Sequence, residues 1–160
     1  MRFHFNPLLD EIKLMIYYII FNLVLLPASV SLHEWGHWAM AYTLNYKDGY
    51  VIYTPAGGYF YLREPLRSVY DGFLIGIAGG LTVTFIFTAL YLFFDWETDM
   101  IEKYVLRNYI IHQTVYAMFE SLYGMGLISE NILYIVSVIV YPVCLYGSLI
   151  YIFIELHRER

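Results

Sequence analysis

LMIYYIIFNLVLLPASVSLHEWGHWAMAYTL, residues 14–44, decides how this chain is read. The run is apolar enough to cross a bilayer, and Glu34 is its only formally charged residue. Near its end stands His33-Glu34-Trp35-Gly36-His37. A helix sets positions i and i+4 on one face, so His33 and His37 can aim both imidazoles at one metal ion. Glu34 lies beside them, placed to activate water held there. Ionisable groups in lipid are costly, and function is the default explanation for keeping them.

Composition agrees with a lipid solvent. Of 160 residues, 60% are hydrophobic and only 14% charged, more apolar side chain than a water-soluble core of this size uses. Eighteen Tyr and three Trp suit aromatic belts at two membrane interfaces. The net charge of −5 is diffuse, with no basic run, so nucleic acid is not an expected partner. Cys144 stands alone in an apolar stretch, which rules out an internal disulfide. The first apolar run lacks a cleavage pattern and exceeds signal-peptide length, so it reads as a span.

Working outward, residues 14–44 as one helix reach about 46 Å against a hydrocarbon core of about 30 Å. The helix must tilt, protrude or bend, and Pro27 offers a bend. Residues 50–62 change character: two β-branched and aromatic runs flank Pro55-Ala56-Gly57-Gly58, which predicts a β-hairpin. A second span is expected at 73–94, with Ala78-Gly79-Gly80 allowing close helix approach. Asp95 to Lys103 reads as an acidic, solvated loop. A third span, 108–128, carries His112, Gln113, Tyr116 and Glu120; positions 112, 116 and 120 make a polar stripe that must look inward. A fourth, 131–154, is apolar and contains Pro142. The expectation is one domain over residues 1–160: an all-α integral, multi-pass membrane protein of about four transmembrane helices, with a hairpin between the first and second. Lys and Arg number six on the side of the termini and three on the hairpin side, which favours cytoplasmic termini.

Counted at 1.5 Å per residue from the hairpin side, His37 and His33 lie about 10 to 16 Å deep, and Ala78 to Gly80 share that layer. Glu120 at about 6 Å and His112 at about 18 Å bracket it. Catalytic zinc takes three protein ligands and leaves one open position. His33 and His37 are two, and Glu120 is the expected third, with His112 and then Asp71 as alternatives. The chemistry expected of one Zn²⁺ ion so held is amide hydrolysis, with Glu34 moving the proton.

Three segments together resemble the site-2 protease family of intramembrane zinc metalloproteases. His33-Glu34-Trp35-Gly36-His37 is similar to its zinc helix, Pro55-Ala56-Gly57-Gly58-Tyr59 to its Pro-x-Gly-Gly-Tyr hairpin, and Ala78-Gly79-Gly80 to its Ala-Gly-Pro segment, with Gly80 where Pro is usual. The resemblance covers about residues 25 to 90. It implies a protease cutting transmembrane segments of other proteins, with Gly57, Gly58, Tyr59, Gly79 and Gly80 near the substrate. A re-entrant hairpin is tolerable at membrane depth if it lines a protein cavity, where its edge can pair with an unwound substrate. The family's usual Leu-Asp-Gly segment has no counterpart after residue 90; Asp71-Gly72 comes too early, so Glu120 would be a replacement ligand. Two other readings compete: a non-catalytic zinc-binding membrane scaffold or inactive protease relative, and a haem carrier pairing His33 or His37 with His112.

Overall fold

The computed structural model describes residues 7–54, 57–94 and 100–158. Among them the order is helix α1 (Pro7–Thr43), strands β1 (Gly49–Thr54) and β2 (Gly57–Leu62), then helices α2 (Val69–Phe93), α3 (Met100–Gly124) and α4 (Glu130–Arg158). The mostly helical chain with a hairpin between the first two helices is as expected. Three helices are long and apolar enough to cross a membrane: Ile12–Thr43 of α1, all of α2, and Glu130–Ile152 of α4. Helix α3 falls short by composition. It starts with Glu102, Lys103 and Arg107, and its middle carries the polar stripe. It is instead the inner helix, with Val105, Leu106, Tyr109 and Ala117 fully buried. Phe85, Leu92 and Phe93 on α2 are at least three-quarters exposed, the opposite of a water-soluble arrangement.

Some boundaries differ from the sequence reading. Helix α1 runs through Pro27 without interruption. Helix α3 begins at Met100, so Met100 to Lys103 are helical rather than part of a solvated loop; residues 95–99 lie outside the described residues. Lys103 is buried, its ammonium 5.1 Å from the Tyr91 ring centroid, where a cation finds an aromatic face. Helix α3 also ends at Gly124 rather than at residue 128. Gly126 adopts φ +73°, and the Leu127 amide returns to Leu122 O at 2.9 Å, which closes the helix end.

The hairpin is antiparallel, with Tyr50 opposite Tyr61 and Thr54 opposite Gly57. Pro55 and Ala56 of the expected turn lie outside the described residues. At its base, Asn45 turns to φ 64° and ends α1. The buried Tyr46 hydroxyl donates to Asp71 at 2.5 Å and accepts the Arg67 amide at 2.6 Å. Burial pushes that hydroxyl's pKa up, so it stays a donor. The Arg67 guanidinium lies 4.2 Å from the Tyr46 ring centroid and donates to Asn45 O, satisfying a carbonyl at the end of α1. Ser68 caps α2 by accepting from the Asp71 amide.

Helix packing rests on close backbone approach. Gly72, Gly76 and Gly80 fall every fourth residue on α2 and face the α3 backbone at Gly124, Glu120 and Gln113. On the neighbouring seam a Cβ on Gly36 would stand 2.6 Å from Ala78 O. Toward the termini, a cluster of Tyr18, Phe87, Leu106, Tyr109 and Ile152 forms the core. Polar bonds stitch it together: Asn108 donates to the Tyr18 hydroxyl, which donates to Leu145 O, and Tyr109 donates to Asn22 O.

A methyl group at Gly76 would sit 2.5 Å from Glu120 O, so Gly76→Ala is expected to destabilise the protein by about 1–3 kcal/mol. Gly147→Ala, where nothing lies within 4 Å, is the matched control and should be neutral or slightly stabilising. Thermal unfolding of both variants in detergent checks the difference.

Candidate metal centre

Four-residue spacing on α1 stacks His33 and His37, their ring centroids 4.7 Å apart at 80°. Both are buried, and their Nε2 atoms converge to 3.0 Å. Glu120 arrives from α3, which Gly76 admits at that level. Its carboxylate oxygens lie 3.1 and 3.0 Å from His33 Nε2, and one lies 3.5 Å from His37 Nε2. Ligand atoms of the three residues all fall within 4.8 Å of one another, a group able to hold a metal ion.

Hydrogen bonding on the far side of each ring decides what that convergence means. His37 Nδ1 stands 2.7 Å from Ile75 O, a carbonyl that only accepts, so Nδ1 carries the proton. His33 Nδ1 meets Gln113 Oε1 at 2.8 Å, and the Gln113 amide nitrogen donates to Ser29 Oγ at 3.2 Å, which orients it. With both rings neutral, these bonds turn the Nε2 lone pairs toward each other and toward a carboxylate. One Glu120 oxygen is buried without a hydrogen-bond donor. In that form three acceptor groups converge, and a metal cation satisfies all three.

Zinc fits the set. Two imidazole nitrogens and one carboxylate are a known catalytic donor combination, and tetrahedral bonds of about 2.0–2.1 Å place ligand atoms roughly 3.3 Å apart. The observed separations of 3.0 to 3.5 Å bracket that value. Gly79 makes room: a Cβ there would fall 2.9 Å from His33 Nε2 and overlap His37 Nε2.

The centre opens onto a cavity of about 860 Å³. Glu34 lies on its wall next to the histidines, and β2 runs against it so closely that a Cβ on Gly58 would stand 2.6 Å from Glu34 Cγ. All of β2 from Gly57 to Leu62 borders the cavity, with Tyr116, Leu133 and Tyr141 opposite. Gly57, with φ +147°, takes a conformation that favours glycine.

Of the sequence candidates, His33, His37 and Glu120 thus meet at one point with Glu34 beside them on the cavity wall, and Gly57, Gly58 and Tyr59 line the adjoining space. Gly79 and Gly80 do not border the cavity; they lie behind the histidines and against α3, where they serve packing. Asp71 is engaged by Tyr46 at the base of the hairpin, and His112 lies outside the three-residue cluster. Sequence reading missed the parts that hold the ligands: Gln113 as partner of His33, Ser29 behind it, and the glycine series at 72, 76 and 80. The last was visible as a four-residue spacing. Comparison with protein-family models, curated proteins and solved structures returns no match to this chain.

Glu120→Ala should abolish stoichiometric zinc in purified protein. Gln113→Ala, which frees the His33 ring to turn, should weaken zinc binding about 10- to 100-fold. Metal analysis and chelator competition read both; Gln113→Ala with unchanged affinity would remove that residue from the support of the site.

Proposed function

We propose that this chain is an intramembrane zinc metalloprotease that hydrolyses peptide bonds in or near transmembrane segments of other membrane proteins. The observation that carries the reading is the convergence of two imidazoles and a carboxylate, able to hold a metal ion, with Glu34 alongside in a helix apolar enough to span a bilayer. The resemblance of the His33 to His37 segment and the hairpin to the site-2 protease family agrees with it. In this reading all four helices cross the membrane, and α3 does so sheltered by α2 and α4.

His33, His37 and Glu120 would hold the ion, with Gln113 and Ile75 O fixing the ring orientations. Bound zinc supplies Lewis acidity, polarising the scissile carbonyl and acidifying water. Glu34 takes the proton from the attacking water and delivers it to the departing amine nitrogen. Strand β2 presents the substrate: no other described strand pairs with its outer edge, where the Phe60 amide bonds the Glu34 carboxylate, and an extended peptide can add there as a third strand by displacing that bond. Pairing in this way unwinds a helical substrate and exposes its peptide bonds beside Glu34. A haem reading, which pairs His33 or His37 with His112, finds less support, since the Tyr116 ring packs against both His33 and His112.

Glu34→Gln should retain one zinc per chain and lose cleavage of a reconstituted transmembrane substrate by about 10²-fold or more, the scale of a general acid–base contribution. His37→Ala should lose both zinc and cleavage. Full activity in the Glu34→Gln protein would sink the mechanism.

A further inference from the structure

His112 is a polar side chain at the cavity that the scheme above leaves unused. It lines the cavity, yet both ring nitrogens are shielded from solvent and have no hydrogen-bond partner among the described residues. Its neighbours are rings: Tyr116 lies flat against it at 5.8 Å and 10°, and Tyr141 meets it edge-on at 5.3 Å. Around it, His33, His37 and Gln113 each have a partner for the atoms turned away from the metal centre. A polar ring kept in lipid without a partner is expensive and marks a place where a ligand completes the bonding.

The missing partner can be deduced from the strand-addition geometry. A peptide added to β2 satisfies its N–H and C=O groups on one edge only. Groups on its other edge face the cavity wall formed by α3 and α4, where bulk water is not at hand and a bond must come from protein. A neutral imidazole offers one N–H donor and one lone pair, and a peptide unit offers one C=O and one N–H. The distance also suits. Tyr116 stands between His33 and His112, its ring centroid 5.7 Å from the first and 5.8 Å from the second. Extended chain rising about 3.3 Å per residue covers that reach within roughly three residues of the metal centre.

We propose that His112 is a substrate-binding residue that hydrogen-bonds the outer backbone edge of an extended peptide held on β2, within about three residues of the scissile bond. Access requires Tyr141 to turn aside. Its hydroxyl is only loosely held, 3.5 Å from that of Tyr109, and it belongs to the half of α4 that borders the cavity. The proposal rests on the metalloprotease reading, and the experiment separates the two.

The zinc-loaded full-length protein in detergent micelles is titrated with two probes: acetohydroxamate, which offers a metal-binding head alone, and an N-acetylated apolar tripeptide hydroxamate. Zinc content is measured alongside. His112→Phe keeps the ring and its stacking on Tyr116 but removes both nitrogens; His112→Asn restores a donor and an acceptor. The expected result is wild-type zinc content and acetohydroxamate affinity in both variants. The tripeptide probe should bind at least tenfold more weakly to His112→Phe, with most of that loss recovered in His112→Asn. Unchanged tripeptide affinity in His112→Phe overturns the proposal, as does equal loss of both probes or of zinc, which would place His112 in the metal centre's own support. A zinc-loaded wild type that binds neither probe removes the metalloprotease reading and this inference with it.

Discussion

Two imidazole Nε2 atoms brought to 3.0 Å of each other, with a carboxylate closing the third side, form the constraint around which the chain is arranged. Such a convergence does not arise from one helix alone. The two rings are held there because each is fixed from behind, His37 by a backbone carbonyl of α2 and His33 by Gln113 of α3. The site is thus a property of three helices at once. Any one of them moving by an ångström would let a ring turn and dissolve the convergence.

That demand explains the glycines. Helix axes usually stand 8–10 Å apart, set by the side chains at the contact. Gly36, Gly72, Gly76 and Gly80 remove those side chains, and backbone then meets backbone or short side chains. Without a hydrophobic driving force between helices in lipid, such close van der Waals contact is a main source of association. The same contacts that join α2 to α3 bring Glu120 to the histidines, so stability and site geometry share one cause. Gly79 stands one residue before Gly80, and its missing side chain leaves the space the imidazoles occupy.

Polar groups elsewhere in the apolar helices divide into two kinds. Toward the termini, Tyr18, Asn22, Asn108 and Tyr109 bond across α1, α3 and α4. Around the cavity, His112 has no such partner among the described residues, and β2 keeps one edge without a partner strand, where the Phe60 amide bonds Glu34. The first kind ties helices together. The second surrounds a space of about 860 Å³ beside Glu34.

Much of this was legible from residue order. Spacing of four between His33 and His37 is a local property of any helix, and hydropathy marks the apolar spans without reference to neighbours. The hairpin's turn chemistry is equally local. Depth counting along the helices singled out Glu120, because distance along a span is linear in residue number. Lys103 was misjudged as solvated because nothing local shows that the Tyr91 ring covers it. Gly79 and Gly80 were read as close-packing positions and, through the family resemblance, as substrate neighbours as well; the structure shows the packing, and a small residue reads alike whether a ligand or a helix presses on it. By itself, then, the sequence determined the helices, the hairpin, the paired histidines and their neighbouring carboxylate. Only the tertiary structure brings Glu120, rather than His112 or Asp71, into one group with the two histidines, since that depends on helix rotation and close approach between segments far apart in the chain.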